Sequence, residues 1–272
     1  MEVLIISFRM HHICKGGRFL IIPMDHGFSI GPVKGLVDIN KTVEAVSSGG
    51  ATAILGHRGF LQSIDPEVLE TTTGIILHMS ASTSFGPDPN SKVLVSSLDD
   101  AFQLGVDGIS VHINVGGADD EPKMLSDLGQ IVTESQQYNI PLLAMMYARG
   151  PNVENSFDAK AIAHAARIGA ELGADIIKCN YTGNPDTFRD VVRGCPRPVV
   201  IAGGPKMDNL SEFISMVCEA MEAGAAGVSI GRNVFQHDDP KLITQTMAKI
   251  IFENYNLQKA TSFYESHVKK FA

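Results

Sequence analysis

The 272-residue chain lacks a basic surplus: 22 lysines and arginines stand against 30 aspartates and glutamates, for a formal net charge of −8. A nucleic-acid footprint needs a basic face, so that class is excluded. No apolar run reaches the ~18 residues of a membrane span, and none is expected. The opening MEVLIISFRMHHIC has a short apolar patch with no lysine or arginine before it and no clear cleavage site, so it does not read as a signal peptide. Cysteine is sparse. Cys14, Cys179, Cys195 and Cys218 form no CxxC pair and no short-range framework, and reduced thiols in a cytoplasmic protein are the simplest account. The GxGxxG turn of a dinucleotide-binding sheet is missing too: the first strand–helix junction reads MDHGFSIGPVKG.

What is present suits a protein with a large core, at 44% hydrophobic and 19% charged residues and a mean hydropathy of +0.08. No linker or low-complexity segment divides it. Instead, a short apolar run ending in glycine or a polar residue recurs, each followed by a helical pattern. The runs are FLIIPMDHG from Phe19, ATAILGHRG from Ala51, GIILHMSAS from Gly74, GISVHINVG from Gly108, PLLAMMYARG from Pro141, DIIKCNYTG from Asp175, PVVIAGGP from Pro198 and AAGVSIGRN from Ala225. Intervening segments such as DAKAIAHAARIGAELGA carry helical period and end near glycine. Continuous apolar strands alternating with helices imply a parallel sheet covered on both faces. Eight such units predict a single-domain (β/α)8 TIM barrel over residues 1–272, with 1–17 and 255–272 peripheral, ahead of a flavodoxin-like open sheet.

Catalytic groups of such barrels gather where strands end, on the C-terminal face. Those positions hold Asp25 and His26, Tyr147 and Arg149, Lys178, Gly203 and Gly204, and Gly231 and Arg232. Glycines after strands seven and eight let backbone N–H groups approach a phosphate, and Arg232 supplies a cation. Lys178 is the odd residue in ADIIKCNYTG, a charge inside an apolar strand. Burial favours its neutral amine, which attacks a ketone to form an iminium. From the lysine alone, an ion pair inside the barrel fits as well. Tyr147 and Asp25 tilt the reading toward imine chemistry, which needs proton transfers at the carbinolamine and the substrate oxygen. Cys179 faces away from Lys178 by strand alternation and reads as a small buried hydrophobe. By the same alternation His26 faces the helices unless its loop turns it inward. His57, His78 and His112, at unequal depths in their runs and without HxH or HxxxH spacing, read as hydrogen-bonded core histidines in preference to zinc ligands.

PMDHGFSIGPVKGL, MMYARG, ADIIKCNYTG, PVVIAGGPK and AGAAGVSIGRNVFQHDDP, in that order, resemble the archaeal-type class I aldolase family from about Gly17 to Asp239. The resemblance implies a (β/α)8 fold and Schiff-base chemistry with no metal or other cofactor. It matches Lys178 to the imine-forming lysine, Tyr147 to the proton donor and Asp25 to the general base. Asp25, His26, Gly27, Phe28 and Ser29, with Tyr147, Ala148 and Arg149, match substrate-contacting stretches; Gly203, Gly204, Gly231 and Arg232 match phosphate loops. Implied partners are phosphorylated ketose and aldehyde substrates and further copies of the chain, since family members form rings, often decamers. MDHGFSIGPVKGL is nearest the branch that moves a three-carbon ketone unit from a 6-deoxy-5-ketohexose phosphate to L-aspartate semialdehyde, on an alternative route to aromatic amino acids. Related branches cleave fructose bisphosphate or join a triose phosphate to aspartate semialdehyde. The acceptor's carboxylate would meet Arg149, whereas a second phosphate would want Lys34 or Arg58, if their loops fold inward.

Overall fold

The computed structural model describes residues 8–268. The eight apolar runs become eight parallel strands: β1 (Phe19–Pro23), β2 (Ala53–Gly56), β3 (Gly74–His78), β4 (Gly108–Val115), β5 (Leu142–Ala148), β6 (Ile176–Asn180), β7 (Val199–Ala202) and β8 (Gly227–Ser229). Each pairs with its chain neighbours, and β8 pairs with β1, so the barrel closes. Helices follow the strands in the expected alternation: α1 (Phe8–Ile13) precedes the barrel and α2 (His26–Ile30) caps β1. Then come α3 (Ile39–Ser48), α4 (Arg58–Gln62), α5 (Leu98–Leu104), α6 (Glu121–Gln137), α7 (Ala159–Leu172), α8 (Pro185–Gly194), α9 (Leu210–Glu222), α10 (Arg232–Phe235), α11 (Pro240–Glu253) and α12 (Leu257–His267). Short polar residues start them. Asp38, Asp158, Asn184, Asn209, Asp239 and Asn256 each accept from a first-turn backbone N–H, and Ser97 with Asp100 forms a capping box.

Alternation along each strand sorts side chains into two layers. Leu20, Ile22, Ile54, Leu77, Ile109, Ala144, Ile177, Val199 and Val228 face the helices. Phe19, Ile21, Ala53, Leu55, Ile76, Leu143, Met145, Ile176 and Val200 fill the barrel's lower interior. Toward the C-terminal ends the inward positions turn polar, and that change of character locates the site.

The segments expected to be peripheral are more firmly attached than composition suggests. Residues 1–7 and 269–272 lie outside the described residues, but Ile13 is 1% exposed and packs with the barrel interior. A side chain at Gly74, where β3 begins, would run into Ile13, and one at Gly108, where β4 begins, would touch it, so α1 closes the N-terminal mouth. Ala260 of α12 is fully buried, and that helix lies on α9 and α11. Apolar residues spaced through both ends supply the contact; polar neighbours mask it in a composition reading. No helix among the described residues is long and apolar enough to cross a membrane.

Candidate active site

Lys178 stands in β6 with its side chain inward, because Ile176 on the same face is interior and Cys179 beside it joins the helix-facing layer. It is 6% exposed. Its Nζ lies 3.8 Å from the Met145 sulfur on β5, a weak acceptor at best, and among the described residues no carboxylate lies within ion-pair distance of it. Burial, with Arg149 and Arg232 nearby, outweighs the attraction of Asp25 and brings its pKa down to about 8. The ion pair that could have explained a buried lysine is therefore not formed: Asp25 acts on Lys178 only through space.

Asp25 begins the turn after β1 and is the N-cap residue of α2 without capping it. Burial works to raise its pKa, but His26, His78, Lys178 and His57 together hold it well below the ordinary carboxylate range. Its Oδ1 is 3.4 Å from His26 Nδ1 and its Oδ2 3.9 Å from His78 Nε2. Tyr147, two residues beyond Met145 on β5, also points inward and is buried. Burial pushes its phenol pKa up, so it keeps its proton at neutral pH. One face of the ring meets the Arg149 guanidinium 4.3 Å from its centroid, and His112 packs at 4.9 Å.

The two glycine loops meet across β7 and β8. Gly204 takes a φ of +64°, the left-handed region glycine favours. A Cβ at Gly231 would fall 2.5 Å from the Pro23 carbonyl and 2.8 Å from the His26 ring, so only glycine lets this turn close on β1. Arg232 Nη2 donates to the Gly204 carbonyl at 2.8 Å, while its Nε is buried without a partner. Asn233 ties the loops together, donating to the Gly203 and Pro205 carbonyls and accepting from Met207 N at 2.6 Å.

The remaining expected positions divide. His26 lies between Asp25, 3.4 Å from its Nδ1, and Phe235 of the helix-facing layer, whose ring meets its own at 5.2 Å. Gly27, Phe28 and Ser29 form α2 rather than an extended strand end; Phe28 stacks on His57 at 4.9 Å, and Ser29 bonds back to the His26 carbonyl. Ala148 points away from the mouth into the helix-facing layer, as alternation after Tyr147 requires, so its side chain is not a site group. Neither Lys34 nor Arg58 folds inward. Lys34 pairs with Asp238 at 2.6 Å, both exposed, and Arg58 with Asp100 at 2.5 Å.

The histidines need one correction. All three hydrogen-bond as expected: His57 Nδ1 to the His78 carbonyl at 3.0 Å, His78 to Ser110 Oγ at 2.7 Å, and His112 to Asn114 Oδ1 at 3.0 Å. Burial lowers the pKa of each, that of His78 to about 3, so they are neutral. His57 and His78, however, are level with each other. Gly56 registers with Leu77, which places their rings 5.1 Å apart. With Asp25 they offer three ligand atoms within 4.8 Å of one another, near enough to share an ion; His112 is not of the group. Depth counted within each run misled because neighbouring barrel strands are staggered.

Two polar residues at the mouth went unnoticed in the sequence. Asn180, two beyond Lys178, is buried and donates to the Ser156 carbonyl at 3.1 Å; the period of two could have marked it. Lys92 lies in a loop, where no periodicity announces a direction.

A profile of DeoC/LacD family aldolases matches residues 19–237. A 2-amino-3,7-dideoxy-D-threo-hept-6-ulosonate synthase of Halobacterium salinarum is 40% identical over 93% of this chain and 93% of its own. A 2-amino-4,5-dihydroxy-6-oxo-7-(phosphonooxy)heptanoate synthase of Streptomyces griseus is 37% identical over 89% and 88%. Among solved structures, an archaeal fructose-1,6-bisphosphate aldolase with its catalytic lysine bound to a carbinolamine intermediate superposes with a TM-score of 0.82 at 28% identity, covering 90% of this chain and 98% of its own. A closed (β/α)8 barrel with a buried lysine in its sixth strand, matched over most of its length, belongs to the DeoC/LacD family of aldolases.

Proposed function

We propose that this chain is a Schiff-base transaldolase that joins a three-carbon ketone unit to L-aspartate semialdehyde, a 2-amino-3,7-dideoxy-D-threo-hept-6-ulosonate synthase. The observation that carries the reading is Lys178, buried, unpaired and with its pKa brought to about 8. At pH 7 about a tenth of such an amine is neutral, against roughly three in ten thousand at 10.5. The neutral Nζ attacks the ketone carbon, Tyr147 gives a proton to the oxygen, and loss of water leaves the iminium. Cleavage of the donor's carbon–carbon bond puts an electron pair into that iminium as an enamine, with the hydroxyl proton passing to Asp25. The enamine attacks the acceptor aldehyde, whose oxygen takes a proton, and water releases the product ketone and the free lysine. Ionised Asp25 and protonated Tyr147 are in the states these roles require. Arg232 with the Gly203–Gly204 and Gly231 backbone holds the phosphate in this reading. No metal takes part, and the protein works as a cytoplasmic homo-oligomer, a decameric ring being the form its family likeness implies.

The names of the relatives support the acceptor. Cutting either product between C4 and C5 gives a four-carbon amino-acid aldehyde and a three-carbon ketone. They differ at C7, which is deoxy in one product and carries phosphate in the other. The second reading is a donor that keeps its phosphate, and the position of Arg232, close enough to lower the Lys178 pKa, favours it. The test is competition. Enzyme loaded with a ketose donor is offered aspartate semialdehyde and glyceraldehyde 3-phosphate together, and the aminoheptulosonate product should dominate. Preference for the triose phosphate would overturn the synthase reading in favour of a fructose-bisphosphate aldolase.

A further inference from the structure

The loop from Ser82 to Lys92 leaves β3 and returns through a two-residue antiparallel pairing of Ser80–Ala81 with Val93–Leu94. It is fastened at the mouth from two sides: Asn114, inward on β4, donates to the Asn90 carbonyl at 2.6 Å, and Ser84 N donates to the Ser29 carbonyl of α2. At its end, Lys92 Nζ is held by Ser82 Oγ at 2.5 Å and the Pro89 carbonyl at 2.8 Å. Those bonds use two of its three donors.

The charges around it are uneven. Lys92 interacts through space with Arg149, Asp25 and Asp88, and with the neutral His57, His78 and His112. Among the described residues neither Lys92 nor Arg149 has a carboxylate within ion-pair distance; Arg149 has the Tyr147 ring alone. Stacking of Arg149 and His112 on Tyr147, with the bonds His112–Asn114 and Asn114–Asn90, puts both cations on one side of the mouth, with none of the carboxylate pairs that occupy Lys34 and Arg58. An incoming anion would relieve their repulsion and gain charge-assisted hydrogen bonds.

We propose that Lys92 and Arg149 form a second anion subsite, on the Tyr147 side of the mouth and separate from the Arg232 loops, that holds the anionic terminus of the acceptor aldehyde. It rests on the reading that Lys178 carries the donor as an imine. Arg149 stays on the Tyr147 ring while Lys92 supplies the donor that reads the acceptor's charge. Carboxylate and phosphate share this chemistry, so the subsite serves aspartate semialdehyde or a phosphorylated aldehyde by the same contacts.

The experiment varies Lys92 against acceptors of different charge at saturating donor. Lys92→Met keeps the apolar stem and removes the cation. Its KM should rise about tenfold or more for aspartate semialdehyde, the worth of one charge-assisted contact, with kcat falling less than threefold. With neutral glyceraldehyde KM should not move, and Lys92→Arg should restore most of the loss. Glyceraldehyde 3-phosphate is the parallel arm, and the anionic acceptor with the larger change names the source. Arg149→Gln should also raise KM for the anionic acceptors, with a fall in kcat for every acceptor through its action on Lys178 and Tyr147. Borohydride trapping of the donor on Lys178 is measured in every variant and reports an intact site. Trapping without any change in acceptor KM overturns the subsite alone, as does an equal rise for glyceraldehyde. Absence of trapping in the parent protein overturns the imine reading, and the acceptor role falls with it.

Discussion

At the scale of one residue, burial of Lys178 costs the fold stability, and the same burial gives the amine the reactivity the proposed mechanism uses. Its pKa is about 8 in the folded protein and near 10.5 when unfolded. The unfolded state therefore binds more protons between those values, and stability rises with pH across that window. Below about pH 8 the full cost is present, on the order of 3 kcal/mol at 1.36 kcal/mol per pKa unit. Lys178→Met should accordingly melt several degrees higher at pH 7 while losing activity and borohydride trapping; an unchanged or lower melting temperature would count against the buried charge. In the parent enzyme, kcat/KM should rise about tenfold per pH unit below 8 and level off above it. Arg149 helps hold the lysine down, so Arg149→Gln should move that limb to higher pH. A limb that stays in place would mean that Arg149 does not act on the amine.

At the scale of elements, the turns after β7 and β8 are one unit stitched by Arg232 and Asn233. Arg232→Ala should weaken phosphorylated substrate by about 1.5–3 kcal/mol, roughly tenfold or more in apparent affinity, and leave an unphosphorylated analogue little changed. Equal losses for both would show that the arginine supports the loop through the Gly204 carbonyl instead. Asn233→Ala belongs to the other kind. It removes the donor to the Gly203 and Pro205 carbonyls and the acceptor of Met207 N, so it should destabilise the fold by about 0.5–1.5 kcal/mol per lost bond in a denaturant titration.

Over the whole molecule the barrel's two ends divide the labour. The N-terminal mouth is closed by Ile13 of α1, far along the strands from Lys178. Ile13→Ala should cost about 2–5 kcal/mol of stability with kcat unchanged at a temperature where the variant is folded; a fall in kcat would link the plug to the chemistry. The C-terminal mouth holds Asp25, His57 and His78 close enough to bind a cation, yet the proposed mechanism needs none. Prolonged dialysis against a chelator should leave the rate unchanged. Loss of activity that zinc restores would reassign electrophilic catalysis to that trio.

Local order was legible without coordinates because it depends on short-range pattern. Eight apolar runs, polar helix starts and a lysine inside ADIIKCNYTG identify a barrel and its sixth strand, and a period of two settles that Lys178 and Cys179 face opposite ways. Reading only the strand ends extended this to Tyr147, Asp25 and the glycine loops, and family likeness matched them to roles. What pattern does not carry is register between strands or the direction of a loop. The stagger of β2 against β3 makes His57 and His78 neighbours, although they sit in runs that look unlike. Lys34 and Arg58 turn to outlying carboxylates, while Lys92, 58 residues after Lys34 in the numbering, is drawn over the mouth by bonds from Ser82, Pro89 and Asn114. Each of these depends on groups distant in the chain meeting only when the barrel closes, and so the electrostatics of the mouth belong to the tertiary structure.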